Sequence, residues 1–98
     1  MMYVYILLCS DNSYYTGVTN DYEGRFSEHR EGLNPKSYTY NRRPVELVYI
    51  ESYDQPIKAI NREKQIKGWS RAKKGSLIDG NLNELVRLSN NHPSTGSG

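Results

Sequence analysis

The sequence has little of what several classes of protein require. Its one cysteine, Cys9, cannot form an internal disulfide, and because it lies in an apolar run we expect a buried, unreactive thiol in a cytoplasmic protein. No apolar stretch approaches the roughly 20 residues of a membrane-spanning helix. No charged segment precedes the apolar run 4–9, so neither a signal peptide nor a membrane partner is expected. The sequence also lacks a Cys/His cluster with zinc spacing and a glycine-rich phosphate loop.

The length allows one hydrophobic core, because 98 residues are too few for two. We expect a single domain over residues 1–88. Residues 89–98 are rich in serine, asparagine, glycine and proline, which predicts a disordered C-terminal tail. Tyrosine is abundant, with nine copies against one phenylalanine and one tryptophan. This usage is typical of a core with hydroxyls at its edge, and it also fits an aromatic surface or a catalytic phenol.

The net charge of +2 does not by itself indicate a nucleic-acid partner, but the basic residues are clustered. In the segment 56–74 a single acid, Glu63, stands among these basic side chains: Lys58, Arg62, Lys64, Lys67, Arg71, Lys73 and Lys74. The segment 36–43 adds Lys36, Arg42 and Arg43, with Tyr38 and Tyr40 between them. Basic side chains interleaved with aromatic ones suit a phosphate backbone and exposed bases. The alternative is a solvated helix face that keeps the protein in solution.

Hydrophobic patterning predicts an α+β fold, a small three-stranded antiparallel sheet flanked by helices in the order β-β-α-β-α-α-α. The unbroken apolar run at 3–9 predicts a central strand, and turn formers at 10–13 join it to a second strand over 14–18 as a hairpin. A third strand is expected over 45–53. Alternation places three of its apolar residues on one face: Val45, Leu47 and Tyr49.

The first predicted helix is bounded by capping signals. Asn20 can cap its amino end, with Glu23 placed to reach back as in a capping box, and Gly32 is a stop signal. One stripe of this helix carries three larger side chains: Tyr22, Phe26 and His29.

The later helices follow the third strand. Pro56 suits the first turn of a helix that is expected to run to about residue 67. Two more helices are expected, over 70–78 and 82–88, because Asp79-Gly80 between them has the composition of a turn.

Glu63 departs from the pattern of its helix. It follows Ala59 and Ile60 at i+4 and i+3, so its carboxylate shares the apolar face. A carboxylate placed there is costly unless a cation or several donors satisfy it. Either it pairs with a nearby Arg or Lys at the edge of the core, or it binds a hard divalent ion such as Mg²⁺. The pattern leaves both interpretations open.

Arg25 and His29 are one helical turn apart and therefore project side by side. A guanidinium can clamp a phosphate through two hydrogen bonds, and it stays charged at every working pH. A neutral imidazole beside it could accept a proton or bind phosphate. The alternative is a surface arginine and a half-buried histidine that completes the apolar stripe.

Tyr5 and Tyr15 lie on adjacent predicted strands and are expected to face each other, or to lie within one residue of doing so. Gly17, in the second strand, marks a close approach of the backbone to another group. Two phenols near a phosphate could orient a water or act as a base, and a base requires a pKa lowered from about 10. Packing is the commoner role of such tyrosine pairs.

Together these residues resemble the GIY-YIG nuclease superfamily over residues 2 to about 80. The Gly-Ile/Val-Tyr motif of that family reads here Tyr3-Val4-Tyr5, and its Tyr-Ile-Gly motif reads Tyr15-Thr16-Gly17. The run 66–74 and the basic loop 38–44 are similar to the small stand-alone bacterial members. The amino-terminal nuclease of the excision-repair protein UvrC is a further relative. The ordered positions of the family are matched here by Tyr5, Tyr15, Gly17, Arg25, His29 and Glu63.

The resemblance implies a metal-dependent endonuclease that acts in DNA repair or nucleic-acid processing. Glu63 would hold one divalent metal ion, Mg²⁺ or Mn²⁺. Arg25 would stabilise charge on the phosphate, while Tyr5, or Tyr15 in an alternative assignment, would activate the attacking water with help from His29. DNA is the expected substrate in preference to RNA. A protein partner could supply specificity, because no added DNA-binding domain is visible in the sequence.

One departure from the family pattern keeps other functions open. Many members have an asparagine about twelve residues after the glutamate, where Gly75 and Ser76 stand here. A second interpretation is therefore a nucleic-acid-binding module that has lost catalysis. A third is a protein-interaction domain whose basic helix meets an acidic partner.

Overall fold

The computed structural model describes the backbone of residues 1–89 and the side chains of residues 1–80. Within them it has the predicted α+β fold, three antiparallel strands and three helices in the order β-β-α-β-α-α. The elements are β1 (Met2–Leu8), β2 (Tyr14–Thr19), α1 (Tyr22–Glu31), β3 (Glu46–Tyr53), α2 (Pro56–Lys67) and α3 (Arg71–Ser89), with a 3-10 turn (Tyr40–Arg42) before β3. None of the described helices is long and apolar enough to cross a bilayer.

The predicted turn at Asp79-Gly80 is wrong, because both residues lie inside α3. The helices expected over 70–78 and 82–88 are one continuous helix. Glycine in a helix interior costs only about 1 kcal/mol relative to alanine, so flanking helix formers can carry the helix through it. The predicted disordered tail lies outside the described residues from residue 90 onward.

β1 is the central strand, as its unbroken apolar run predicted, and it pairs antiparallel with β2 on one side and β3 on the other. Each face of the sheet has its own small core. One core, covered by α2 and α3, consists of Val4, Ile6, Tyr49, Ala59, Ile66 and Ile78. The other, covered by α1 through Phe26, consists of Tyr5, Leu7, Cys9 and Val45. The thiol of Cys9 is buried, as expected.

A bulge in β3 overturns the prediction for its faces. The pairing of β3 with β1 shifts by one residue at Val48. One extra residue in a strand moves the side chains beyond it to the opposite face. Val45 and Leu47 therefore pack on the α1 side of the sheet, whereas Tyr49 packs on the α2 side.

α1 is capped by Asp21 and not by Asn20 as predicted. The Oδ1 atom of Asp21 accepts a hydrogen bond of 3.1 Å from the backbone N–H of Gly24. β2 extends to Thr19, whose Oγ1 accepts from the N–H of Asp21, so the helix starts one residue later than the sequence suggested. The predicted end at Gly32 is confirmed, with the glycine at φ +68°.

This capping difference gives a direct test of the local structure. Asp21→Ala is expected to lower the free energy of unfolding by about 1 kcal/mol, because one amide of the first turn loses its acceptor. Asn20→Ala is the matched control and should change it by much less. Urea denaturation of both variants measures the difference, and an equal loss in both would contradict the assignment of the cap.

Candidate active site

A buried chain of hydrogen bonds joins β1, α1 and the loop before β3. The Tyr5 hydroxyl lies 3.3 Å from Nε2 of His29. The other ring nitrogen of His29, Nδ1, lies 2.6 Å from Oγ1 of Thr39, which lies 3.1 Å from Oγ of Ser37. Tyr5, His29 and Thr39 are 2 %, 8 % and 1 % exposed, so the chain is sealed from solvent along most of its length.

Burial sets the protonation states of this chain. Burial, followed by the neighbouring Tyr15 phenol, raises the pKa of Tyr5 well above its usual range. Burial, followed by the positive charge of Arg25, lowers the pKa of His29. Both groups are therefore uncharged at neutral pH. A phenol that holds its proton donates to Nε2 of His29, which leaves the ring proton on Nδ1, where Thr39 accepts it.

The neutral state of His29 predicts a pH dependence of stability. Because its pKa is lowered from 6.5 in the folded protein, its stabilising contribution is complete above that value and is lost as pH falls through the lower folded pKa. Free energies of unfolding measured from about pH 8 to about pH 5 should fall more steeply for the native protein than for His29→Gln. Equal slopes in the two proteins would contradict the buried neutral imidazole.

Tyr15 lies beside this chain without facing Tyr5 directly. Tyr5 pairs with Gly17, two residues from Tyr15, so the two tyrosines are diagonal neighbours and the expected register is wrong by one further residue. Their rings are 6.3 Å apart, and the Tyr15 ring is 5.0 Å from that of His29. The structure thus brings the two predicted tyrosines and the histidine together on the α1 face of the sheet.

Gly17 allows the Tyr5 ring to lie against β2, as the sequence suggested. A Cβ built at Gly17 would lie 2.4 Å from the Cζ and hydroxyl oxygen of Tyr5, closer than real Cβ atoms approach other atoms. A side chain at this position would push the Tyr5 hydroxyl from His29, so the glycine sets the geometry of the site.

Arg25 lies beside this series of hydrogen bonds, at a pocket that His29 also lines. Its guanidinium Nε is 3.3 Å from the Glu28 carboxylate, and its side chain is 49 % exposed. A small pocket opens here, lined by Arg25, Glu28, His29, Gly32, Asn34, Ser37, Thr39 and Tyr40. An exposed guanidinium above a buried neutral imidazole is an arrangement that suits a phosphate. Neither Ser37 nor Thr39 was singled out in the sequence, since a hydroxyl in a polar loop gives no signal of burial.

Glu63 is placed by α2, which packs on the other face of the sheet. Its side chain is 13 % exposed, and its carboxylate Oε2 lies 3.5 Å from the Lys67 ammonium. Among the described residues, no hydrogen bond or ion pair joins Glu63 to the Tyr5–His29 chain or to Arg25. The structure therefore brings together the predicted catalytic residues of the α1 face and leaves Glu63 apart from them in direct contacts.

A shallow pocket runs between these two groups of residues. It is lined by Tyr14, Tyr15, Thr16, Tyr38, Lys67 and Lys74. Tyr15 contacts the His29 ring and Lys67 contacts Glu63, so each end of the pocket borders one group.

The side chains present suit a divalent ion that needs only one or two protein ligands. The described residues contain no group of three or more His, Cys, Asp or Glu side chains able to hold a metal. Mg²⁺ needs no such group, because it commonly binds through one or two carboxylates and keeps several waters or substrate phosphates as further ligands. Glu63 is largely buried and, among the described residues, pairs with an exposed lysine, so it fits this mode.

The predicted nucleic-acid-binding residues fall into two sets. Three arginines make local contacts: Arg42 binds Asp11 at 3.0 Å, Arg43 donates to the Tyr40 carbonyl at 2.9 Å, and Arg71 donates to the Asn12 carbonyl at 2.6 Å. They hold the hairpin turn and the basic loop in place. The lysines extend from the loop, α2 and α3: Lys36, Lys64, Lys67, Lys73 and Lys74.

Gly75 stands where the resemblance to the family would place an asparagine. Gly75 lies in α3, and a Cβ built there would be 3.7 Å from the Tyr14 hydroxyl oxygen, an ordinary contact distance. A polar side chain at this position would thus reach Tyr14 on β2, and Tyr14 itself supplies a hydroxyl there.

Comparison with known proteins shows which family the chain matches. Residues 1–76 match the GIY-YIG catalytic domain. The chain is 48 % identical to a UPF0213 protein of Haloquadratum walsbyi, over 79 % of this chain and 85 % of that one. It is 49 % identical to a UPF0213 protein of Syntrophus aciditrophicus, over 81 % and 91 %. These relatives are small stand-alone proteins, as the sequence indicated.

Two solved structures have the same fold. The solution structure of the UPF0213 protein BH0048 from Bacillus halodurans matches with a TM-score of 0.53 and 39 % identity, over 81 % of this chain and 84 % of that one. That of EF2693 from Enterococcus faecalis matches with a TM-score of 0.56 and 33 % identity, over 80 % and 82 %. The sequence match and the fold agree, and the chain belongs to the GIY-YIG catalytic domain family.

Proposed function

We propose that this protein is an endonuclease that hydrolyses phosphodiester bonds of nucleic acid, DNA in preference to RNA, with one divalent metal ion. The observation that carries the proposal is the buried Tyr5–His29 pair beside the guanidinium of Arg25. Membership of a nuclease family supports the reaction type. Residues 1–88 would act as one domain in the cytoplasm.

Tyr5 would orient the attacking water and relay its proton. Its raised pKa disfavours a phenolate base at neutral pH. Its hydroxyl donates toward Nε2 of His29. As the Tyr5 oxygen takes a proton from the water, the proton that it carried can pass to the imidazole. The phosphate charge near His29 would favour the imidazolium that forms. Tyr15, which contacts the His29 ring, would help to position both groups.

Arg25 would bind the scissile phosphate. Its present partner is Glu28, three residues further along α1. Exposed ion pairs of this kind contribute little to stability. Exchange of Glu28 for a phosphate is therefore inexpensive, and the guanidinium can follow the negative charge that develops during attack.

Glu63 would hold Mg²⁺ or Mn²⁺, which when bound neutralises charge on the scissile phosphate and stabilises the leaving 3′ oxygen. Lys67, whose side chain is 63 % exposed, can leave the carboxylate at small cost. A substrate strand lying in the pocket between Tyr15 and Lys67 would pass both groups of residues. The lysines of α2 and α3 would bind its other phosphates, and a protein partner could add specificity.

A second candidate is a nucleic-acid-binding module without catalysis. It is favoured by Gly75 at the position of the family asparagine, and by the lack of a direct contact between Glu63 and the Tyr5–His29 chain in the described residues.

Cleavage of a substrate panel separates the two candidates. Single-stranded, duplex, nicked and flapped DNA and matched RNA are incubated with Mg²⁺, with Mn²⁺ and with chelator. The proposal predicts metal-dependent cutting of at least one DNA. Salt-sensitive binding without any cutting would favour the binding module, and an absence of both would favour the protein-interaction domain that the sequence left open.

A further inference from the structure

The pocket between Tyr15 and Lys67 has one aromatic side and one cationic side. The hairpin and the basic loop contribute Tyr14, Tyr15 and Tyr38, while α2 and α3 contribute Lys67 and Lys74. We call it the tyrosine–lysine pocket. Aromatic rings beside ammonium groups match the two parts of a nucleotide, because rings stack on bases and ammonium groups bind phosphate.

The aromatic side is held in place before any ligand arrives. The Tyr38 hydroxyl donates a hydrogen bond of 3.0 Å to Oγ of Ser13, and the Arg42 guanidinium lies 3.8 Å from the ring centre. The Tyr38 and Tyr15 rings are 6.0 Å apart and nearly parallel, at 23°. Tyr38 nevertheless remains 43 % exposed, and it lines the pocket.

The cationic side consists of two lysines that line the pocket, Lys67 and Lys74. Burial, followed by the positive charge of Lys67, lowers the pKa of Lys74. Among the described residues, the acid that contacts this pair is Glu63, through Lys67. A phosphate between the two lysines would balance their positive charges and release Glu63 from Lys67.

A buried hydroxyl supplies an independent indication. Thr16 lines the pocket and is 3 % exposed. In the described part of the chain, its Oγ1 is the buried side-chain atom left without a hydrogen-bond partner. Buried polar atoms are seldom left so, and this one belongs to a residue of the tyrosine–lysine pocket.

We propose that the tyrosine–lysine pocket is a subsite for one unpaired nucleotide next to the scissile phosphate, with its base against the Tyr15–Tyr38 pair and its phosphate between Lys67 and Lys74. The inference rests on the proposed nuclease function. A base inside a duplex has both faces covered by its neighbours, so it cannot enter. The substrate class is therefore nucleic acid with an unpaired nucleotide at the cut, such as a single strand or a flap.

Binding in chelator tests the subsite without cleavage. Fluorescence anisotropy compares a labelled thymidine oligomer with an abasic oligomer of equal length, which has the same phosphates and no bases. The native protein is expected to bind the thymidine oligomer roughly 5- to 100-fold more tightly. Tyr38→Leu should remove most of this difference, Tyr38→Phe should keep it, and Lys67→Gln should weaken binding of both oligomers alike.

Each result supports or overturns the subsite. Equal binding of the two oligomers by the native protein would overturn it without reference to any variant, and so would a base preference that survives in folded Tyr38→Leu. In both cases metal-dependent cleavage would leave the nuclease proposal standing. Failure to bind either oligomer, together with no cleavage of any substrate, would overturn both proposals.

Discussion

Glu63→Gln is expected to slow metal-dependent cleavage by about a thousandfold or more while leaving the fold intact. Glutamine keeps the size of the side chain and removes the charge that holds a divalent ion. Within the described residues Glu63 pairs with an exposed lysine, so the loss of this ion pair should change stability little. Single-turnover cleavage gives the rate, Mn²⁺ binding followed by electron paramagnetic resonance gives the metal affinity, and both should fall together.

Asp54→Asn is the matched control for this substitution. Asp54 pairs with Lys58 at the start of α2 through the same i,i+4 spacing, at 3.7 Å. The Asp54→Asn substitution removes one carboxylate and one surface ion pair at the same helix, away from the tyrosine–lysine pocket. Cleavage by this variant should match that of the native protein. Undiminished cleavage by folded Glu63→Gln would contradict the metal role of Glu63.

Gly17→Ala is expected to lower the free energy of unfolding by about 1–3 kcal/mol and to reduce cleavage in the remaining folded protein. The new methyl group would lie 2.4 Å from the distal atoms of the Tyr5 ring, which is fixed in the core and cannot move away easily. Displacement of that ring breaks the hydrogen bond to His29. Urea denaturation and single-turnover cleavage measure the two effects.

Two variants show whether the clash is the cause. Gly75→Ala adds the same methyl group in ordinary contact with Tyr14 and should be tolerated. In a Tyr5→Leu background, which lacks the distal ring atoms, Gly17→Ala should cost clearly less than it does alone. Additive costs in the double variant would show that Gly17 acts through the backbone and not through Tyr5.

Local signals in the sequence were sufficient for most of the fold. An unbroken apolar run identifies β1 as central because both of its faces are buried, and it is. Errors arose where a tertiary contact or a one-residue choice decides, as at the cap of α1 and in the pairing of β1 with β2. The bulge at Val48 depends on how β3 meets β1, which alternation within one strand cannot reveal. The helical path through Asp79-Gly80 overrides a turn preference of only modest strength.

The candidate site was predictable to the extent that motif residues share one face. Tyr5, Tyr15 and His29 meet because strand register and helix periodicity both point them to the α1 side. Thr39 could not be found, because its role depends on the path of a loop that brings it 2.6 Å from the imidazole. The apolar-face position of Glu63 predicted its burial correctly, and its chemistry stays a proposal.

A metal add-back time course on the single-stranded, duplex, nicked and flapped DNA of the panel tests metal-dependent hydrolysis by this protein directly. Native protein is incubated with end-labelled DNA in Mg²⁺, chelator is added during the reaction, and excess Mg²⁺ is then restored. Cutting is expected to stop with chelator, to resume with metal, and to leave 3′-hydroxyl ends that a ligase can join. Cutting that continues unchanged in chelator, or a panel in which every DNA remains intact with folded protein, would contradict metal-dependent hydrolysis.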